Sequence, residues 1–259
     1  LLVCKHKYWK PAMRIDDNLH IVLSGAFGFD LTNPFDCNVF MIKAGEDWIV
    51  FDSGAGINDA EMFAAFEATG IPPERIRHLF LTHAHADHAG GAAALRDRFG
   101  VRIHAGSQTA DIMEKGDEVK NGLARARAAG IYPADCHLHA VEVDQRMAEN
   151  DLVTINDTVI RLIHTPGHSF DHVSYLVTSP GRTFLLAGDA LFCGGKVVIQ
   201  DIPDCNIGDI CASVRKLAPP LEYQAFLPGH FNFSLRHGIR HAEAAMTFVR
   251  SFQCPPSMF

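Results

Sequence analysis

The stretch Leu79-Phe80-Leu81-Thr82-His83-Ala84-His85-Ala86-Asp87-His88-Ala89-Gly90-Gly91 constrains this chain more than any other. An apolar run that reads as a short buried strand ends in three histidines and an aspartate within six residues, and Gly90-Gly91 opens the next element. Side chains alternate along extended backbone, so His83 and His85 fall on one side. Asp87 and His88 follow after the chain turns and can aim at a second point nearby. Two pairs of nitrogen and oxygen donors at one strand end suit two adjacent divalent metals.

At 259 residues, 47% hydrophobic and 20% charged, the chain has the makeup of a soluble enzyme-sized fold with a full core. A net charge of −7 with no run of lysines or arginines argues against binding nucleic acid through its phosphates. No apolar stretch approaches the length of a membrane span. A small-molecule substrate is therefore the expected partner, with neither nucleic acid nor membrane. The segment Leu1 to Lys10 shows no signal-peptide core, although residue 1 is not Met, which leaves a trimmed targeting segment open. Seven cysteines (Cys4, Cys37, Cys136, Cys193, Cys205, Cys211 and Cys254) are odd in number, widely spaced and without CxxC, as expected of reduced thiols in the cytoplasm. The oligomeric state is open, a homodimer being one option.

The expected elements run as follows. Leu19 to Leu23 is a strand, and the loop Ser24 to Asn38 carries Phe27, Phe29 and Phe35. Val39 to Lys43 and Asp47 to Phe51 form a hairpin that ends at Asp52. Asn58 caps a helix reaching Thr69, with Ala60, Phe63, Ala64 and Phe66 on its apolar side. After the histidine strand come a helix over Gly91 to Arg98 and a strand over Val101 to His104. Helices over Gln108 to Met113 and Glu118 to Ala129 form an insert, about 105–135, that shapes the substrate entrance. Leu152 to Ile155 pairs with Thr158 to His164. Val173 to Thr178 pairs with Thr183 to Ala187, ending at Asp189. A helix over Ile207 to Leu217, a strand ending at Pro228-Gly229-His230 and a helix over Arg236 to Phe252 complete the chain.

A weak internal repeat is visible: two hairpins ending in Asp52 and Asp189, and two strands ending in His83 and His230. Two halves of one plan make two sheets packed face to face, with helices outside and strand ends converging on one edge. Four strand ends then offer ligands: His83, His85, Asp87 and His88; His168; Asp189; and His230. Imidazole and carboxylate without thiolate suit zinc, and also iron, manganese or cobalt. Asp189 is placed to bridge two metals, and Asp52 to accept a hydrogen bond from a ligand histidine and fix its orientation. His6, His20, His78, His104, His137, His139, His164, His237 and His241 read as core or surface residues. His172 lies nearer the site with a structural role.

These residues resemble the metallo-β-lactamase-fold hydrolases, whose HxHxDH signature matches His83 to His88 and whose later His, Asp and His match His168, Asp189 and His230. The resemblance covers roughly Leu19 to Phe233. It implies an α/β fold, a four-layer αββα sandwich, here read as one domain over 1–259. It also implies one site of His83, His85 and His168 and a second of Asp87, His88 and His230, bridged by Asp189. Gly188-Asp189-Ala190-Leu191-Phe192 looks much like the Gly-Asp-Thr-Leu-Phe motif of glyoxalase II enzymes. The overall length and the short stretch after His230 resemble acyl-homoserine lactonases instead, and speak against glutathione thioesters as substrates.

The expected function is a dinuclear metal-dependent hydrolase of a carboxylic ester, lactone or thioester, carrying two divalent ions, zinc first, and acting through a metal-bridging hydroxide. Asp87 and Asp189 are its candidate catalytic carboxylates, and Phe27, Phe29, Phe35, Phe192 and Phe231 its candidate substrate pocket. The alternatives are a mononuclear iron persulfide dioxygenase or a phosphodiesterase of the same fold.

Overall fold

The computed structural model describes residues 12–258. Cys4, His6 and the segment Leu1 to Lys10 lie outside the described residues. The strands form two sheets. The first, of seven strands, lies in chain order: β1 (Met13–Arg14), β2 (Leu19–Leu23), β3 (Val39–Ala44), β4 (Asp47–Phe51), β5 (Ile76–Leu81), β6 (Arg102–Gly106) and β7 (Gln145–Met147). The second contains β8 (Leu152–Ile155), β9 (Thr158–His164), β10 (Val173–Ser179), β11 (Arg182–Gly188) and β12 (Ala225–Pro228), and runs in order from β12 back to β8.

The internal repeat is present in the pairing. In each sheet an antiparallel hairpin, β3–β4 or β10–β11, is followed by a strand parallel to its second arm, β5 or β12. Alternation along these strands decides what each face meets. Phe40, Ile42, Ile49, Phe51 and Phe80 of the first sheet and Tyr175, Val177, Phe184 and Leu186 of the second share the core between the sheets. Burying each such side chain stabilises by about 1.5–3 kcal/mol. The opposite faces turn outward to helices. Met41, Val50, Leu79 and Leu81 pack with α1 (Asp59–Ala68), α3 (Ala92–Phe99) and α4 (Ser107–Lys115). Leu185 and Ala187 pack with α6 (Ile207–Leu217) and α7 (Ile239–Arg250). This is the αββα sandwich expected from the sequence.

Several helix limits differ from the expectation. The first helix is capped as read, Asn58 Oδ1 accepting the Glu61 N–H at 3.2 Å. Its buried face, however, is Met62, Ala65 and Phe66, with Ala60 and Ala64 exposed. Two large side chains four residues apart orient the helix more strongly than the alanines do. The insert helix α5 covers only Leu123–Ala128. Gly122 stands at φ +80° and Asn121 Oδ1 takes the Leu123 N–H, so the helix cannot extend back to Glu118. Likewise His237, at φ +54°, holds the start of the last helix to Ile239.

Candidate metal centre

β4 and β5, like β11 and β12, run parallel, so their C-terminal ends open together. Bonds between the sheets tie that edge. The Val173 N–H donates to the Thr82 carbonyl at 2.8 Å, Tyr175 Oη donates to the Leu81 carbonyl at 2.8 Å, and the Asn38 N–H donates to the Gly229 carbonyl. Asp52, His83, Asp189 and His230 each follow one of these four strand ends. His168 comes from the loop after β9, and Asp87 and His88 from the one-turn helix α2 (Ala86–Ala89).

All seven candidate ligands meet there. His83, His85 and His168 each offer a ligand atom within 4.8 Å of the others, as do Asp87, His88 and His230. His85 Nδ1 faces His168 Nε2 at 3.0 Å, and His88 Nε2 faces His230 Nε2 at 3.3 Å. Asp87 Oδ2 is 3.1 Å from His230 Nε2. Asp189 stands between the groups: its Oδ2 is 3.5 Å from His168 Nε2 and 3.4 Å from His230 Nε2, and its Oδ1 is 3.4 Å from His88 Nε2.

Hydrogen bonds behind the rings set their tautomers. His88 Nδ1 donates to Asp52 Oδ2 at 2.8 Å, which leaves Nε2 bare. Thr82 Oγ1 donates to Asp52 and accepts from His83 Nδ1 at 3.0 Å, which leaves His83 Nε2 bare as well. His85 Nε2 donates to Asp204 Oδ2 at 3.1 Å, which leaves its Nδ1 bare. Three lone pairs thus point into one space, and two of them face another imidazole nitrogen. His83 Nε2 and Asp189 Oδ1 are buried with no hydrogen-bond partner among the described residues. Orphaned acceptors of this kind are costly unless something positive lies between them.

The electrostatics agree. Burial, then the neighbouring histidines, drives His83 well below its ordinary value, and burial takes His168 down to about 4. Both are therefore neutral at pH 7, the form a metal requires. Burial works against ionising Asp87 and Asp189, but His88 and His230 hold both carboxyls well below the usual range. His88 moves upward: burial would lower it, and the Asp189, Asp87 and Asp52 carboxylates around it outweigh that. A cation at its Nε2 answers the same negative field. Neutral imidazoles and ionised carboxylates fit zinc, iron, manganese or cobalt. Cys37 lies behind His88 and Asp52, and burial pushes its thiol up to about 12, so it stays protonated.

Residues 32–230 match the model described as the metallo-beta-lactamase superfamily. The chain belongs to that superfamily. A hydroxyacylglutathione hydrolase of Rhodopseudomonas palustris is 29% identical over 136 residues, which is 52% of this chain but only 41% of that protein's length. The acyl-coenzyme A thioesterase MBLAC2 of Homo sapiens is 24% identical over 212 residues, 75% of this chain and 73% of that one. Among solved structures, the subclass B3 metallo-beta-lactamase BJP-1 of Bradyrhizobium japonicum superposes with a TM-score of 0.68 at 22% identity, covering 95% of this chain and 94% of its own. At that identity the likeness is one of fold.

In this superfamily member two positioning residues, Asp204 and Asp171, carry no assignment from sequence, and a third, His172, has the structural role expected of it. Asp204 orients His85 from a loop 119 residues away, with no motif to mark it. Asp171 accepts the Ala84 N–H at 2.8 Å, Thr109 Oγ1 at 3.0 Å and Ser169 Oγ at 2.7 Å, which ties the histidine strand to the insert and to the His168 loop. Its place between His168 and His172 was the available signal. His172 Nε2 accepts the Asp189 N–H at 2.9 Å while Nδ1 donates to Thr165 Oγ1 at 2.9 Å, so it holds the Asp189 backbone from behind.

A cavity of about 490 Å³ opens onto the cluster, reaching His85, Asp87, His168, Asp189 and His230. Phe27, Phe35 and Phe231 line it, as the sequence suggested, while Phe29 and Phe192 do not. Phe29 packs on Phe233 with centroids 5.5 Å apart, and Phe192 is fully buried beneath Phe231. Phe27 and Phe29 part because the loop folds into a turn between them, the Gly28 and Asp30 N–H groups both donating to the Gly25 carbonyl at 3.0 and 3.1 Å, so the alternation of extended chain does not hold there. Tyr132 of the insert stacks on Phe35 at 4.8 Å and joins the two walls.

Proposed function

We propose that the protein is a dinuclear metal-dependent hydrolase of carboxylic thioesters and esters, lactones included. The observation that carries this is the pair of ligand groups joined by Asp189, with bare imidazole lone pairs facing inward beside an apolar cavity. His83, His85 and His168 would hold one divalent ion and Asp87, His88 and His230 the other, Asp189 serving both. Ions bound there would acidify water between them and polarise the substrate carbonyl.

The chain supplies the rest. Asp52 and Asp204 fix the rings, and His172 fixes Asp189, so the site is organised before substrate arrives. Asp87 is the more exposed of the two carboxylates, with 23% of its side chain accessible against 6% for Asp189. Facing the cavity, its carboxylate is placed to pass a proton to the leaving group. Phe27, Phe35, Tyr132 and Phe231 cover an acyl chain and exclude water. The relatives support the class: one is named for hydrolysing an acyl-glutathione and another for hydrolysing acyl-coenzyme A.

The test is purified protein, metal-analysed, on panels of acyl thioesters, esters, lactones and phosphodiesters. Thioester or ester hydrolysis that a chelator abolishes and zinc restores is the expected result. Two metals per chain with no turnover of any carboxylic ester, thioester or lactone would overturn the proposal. One iron per chain with oxygen uptake would replace it.

A further inference from the structure

The insert helix α5 presents one face to the cavity. Gly122, Arg125, Ala126 and Ala129 all line it, and their spacing of three, four and seven residues is one side of a helix. Three of the four are as small as residues come, leaving room for a ligand. The fourth, Arg125, is the only lysine or arginine on the lining among the described residues. Arg125 is exposed at the cavity's edge, and among the described residues its guanidinium has no ion pair and no hydrogen bond. Arg127, two residues on and therefore turned away, is held by Glu118 at 2.6 Å and by the Cys136 carbonyl at 2.6 Å. One arginine of the helix braces the insert; the other is left facing the cavity. Leu123, Ile131, Tyr132, Phe35 and Phe27 give the lining its apolar part; beyond the ligand cluster its carboxylates are the exposed Asp201 and the buried Asp36, which accepts from Thr32 Oγ1 and the Ala55 N–H.

We infer that Arg125 is a specificity-determining residue that binds an anionic group, a carboxylate or a phosphate, on the substrate of the hydrolysis proposed above. The inference rests on that reading for the carbonyl end only. A planar guanidinium with five donors suits both anions. The anion belongs either to the acyl part or to the thiol part of the thioester, and the two are separable by matched ligands.

The experiment measures calorimetric binding of uncleavable thioethers to the metal-loaded protein and to R125Q and R125E. S-octyl phosphopantetheine is compared with S-octyl pantetheine, and S-(carboxyheptyl) pantetheine with S-octyl pantetheine. Expected is a loss of about tenfold in affinity for one anionic member in R125Q, more in R125E, with the neutral compound bound as before. Whichever anionic compound responds names the side of the substrate. The corresponding thioester substrates should show the same change in KM with kcat within about twofold. Equal weakening of neutral and anionic compounds, or no change in either, overturns the inference. Because binding is read without turnover, a protein that hydrolyses no thioester fails the proposed reaction while leaving this test intact.

Discussion

Asp52 is where a single change reaches both halves of the centre. Its carboxylate accepts His88 Nδ1 at 2.8 Å, the Thr82 N–H at 2.8 Å and Thr82 Oγ1 at 2.9 Å, and through Thr82 it sets the tautomer of His83. It does so from φ +62°, a conformation a non-glycine residue keeps only when its surroundings hold it there. In D52N the amide cannot accept from every one of these donors. Its own N–H₂ would face His88 Nδ1 and favour the tautomer with a proton on Nε2, the atom aimed at the second site. Loss of a carboxylate behind a ligand histidine costs about 10–100-fold in metal affinity, or about 1.4–2.8 kcal/mol. Because His83 is coupled through Thr82, the upper end is expected, spread over both ions. Stability of the metal-free protein should fall by about 1–3 kcal/mol, from the weakened acceptor of a buried N–H. The assay is chelator competition with zinc on wild type and D52N, alongside urea unfolding of both apoproteins. Unchanged zinc affinity in a folded D52N would refute the tautomer argument.

Other expectations follow the same geometry. D204A releases only His85, so zinc affinity at one of the two sites should drop about 10–100-fold while the other stays; equilibrium dialysis at limiting zinc distinguishes one ion per chain from two. G188A would place a methyl 2.5 Å from His172 Nε2 at φ +49°, and should cost about 2–4 kcal/mol in urea unfolding together with activity, since His172 holds the Asp189 backbone. His104 is fully buried, stacked on Phe80 at 4.3 Å, and burial, then His78 and Arg102, takes it down to about 4 from 6.5. The folded state therefore binds fewer protons there than the unfolded chain, and this contribution to stability is complete above pH 6.5 and lost as pH falls towards 4. H104F should remove about 2 kcal/mol of the stability difference between pH 7 and pH 5, measured by urea unfolding at both.

The fold was readable because its information is local. The apolar runs of the hairpins are short, the turns between them are marked by Gly, Asn and Pro, and the repeat ending in Asp52 and Asp189 implies two like sheets. The candidate ligands were readable for the same reason: His83 to His88 is contiguous, and His168 and His230 each follow a Pro-Gly at the end of an apolar run. The groups that orient them were mostly hidden. Asp204 acts through tertiary proximity alone, and an aspartate in a loop has no pattern that separates it from a turn former; Asp171 was marked only by its place between His168 and His172. Helix ends were misplaced where backbone conformation decided, at Gly122 and His237, and the first helix face was misjudged where side-chain bulk outranked count. Of the five candidate pocket aromatics, Phe27, Phe35 and Phe231 reach the cavity and Phe29 and Phe192 do not, because composition names a loop's apolar residues but not the side each one faces.

The central claim is that His83, His85 and His168 on one side, Asp87, His88 and His230 on the other, and Asp189 between them hold two ions. Anomalous diffraction at the zinc edge from crystals of the zinc-loaded protein tests it most directly. Two peaks are expected, one within bonding distance of each trio and both in contact with Asp189. A single peak, or peaks bound elsewhere with these side chains left unligated, would contradict it.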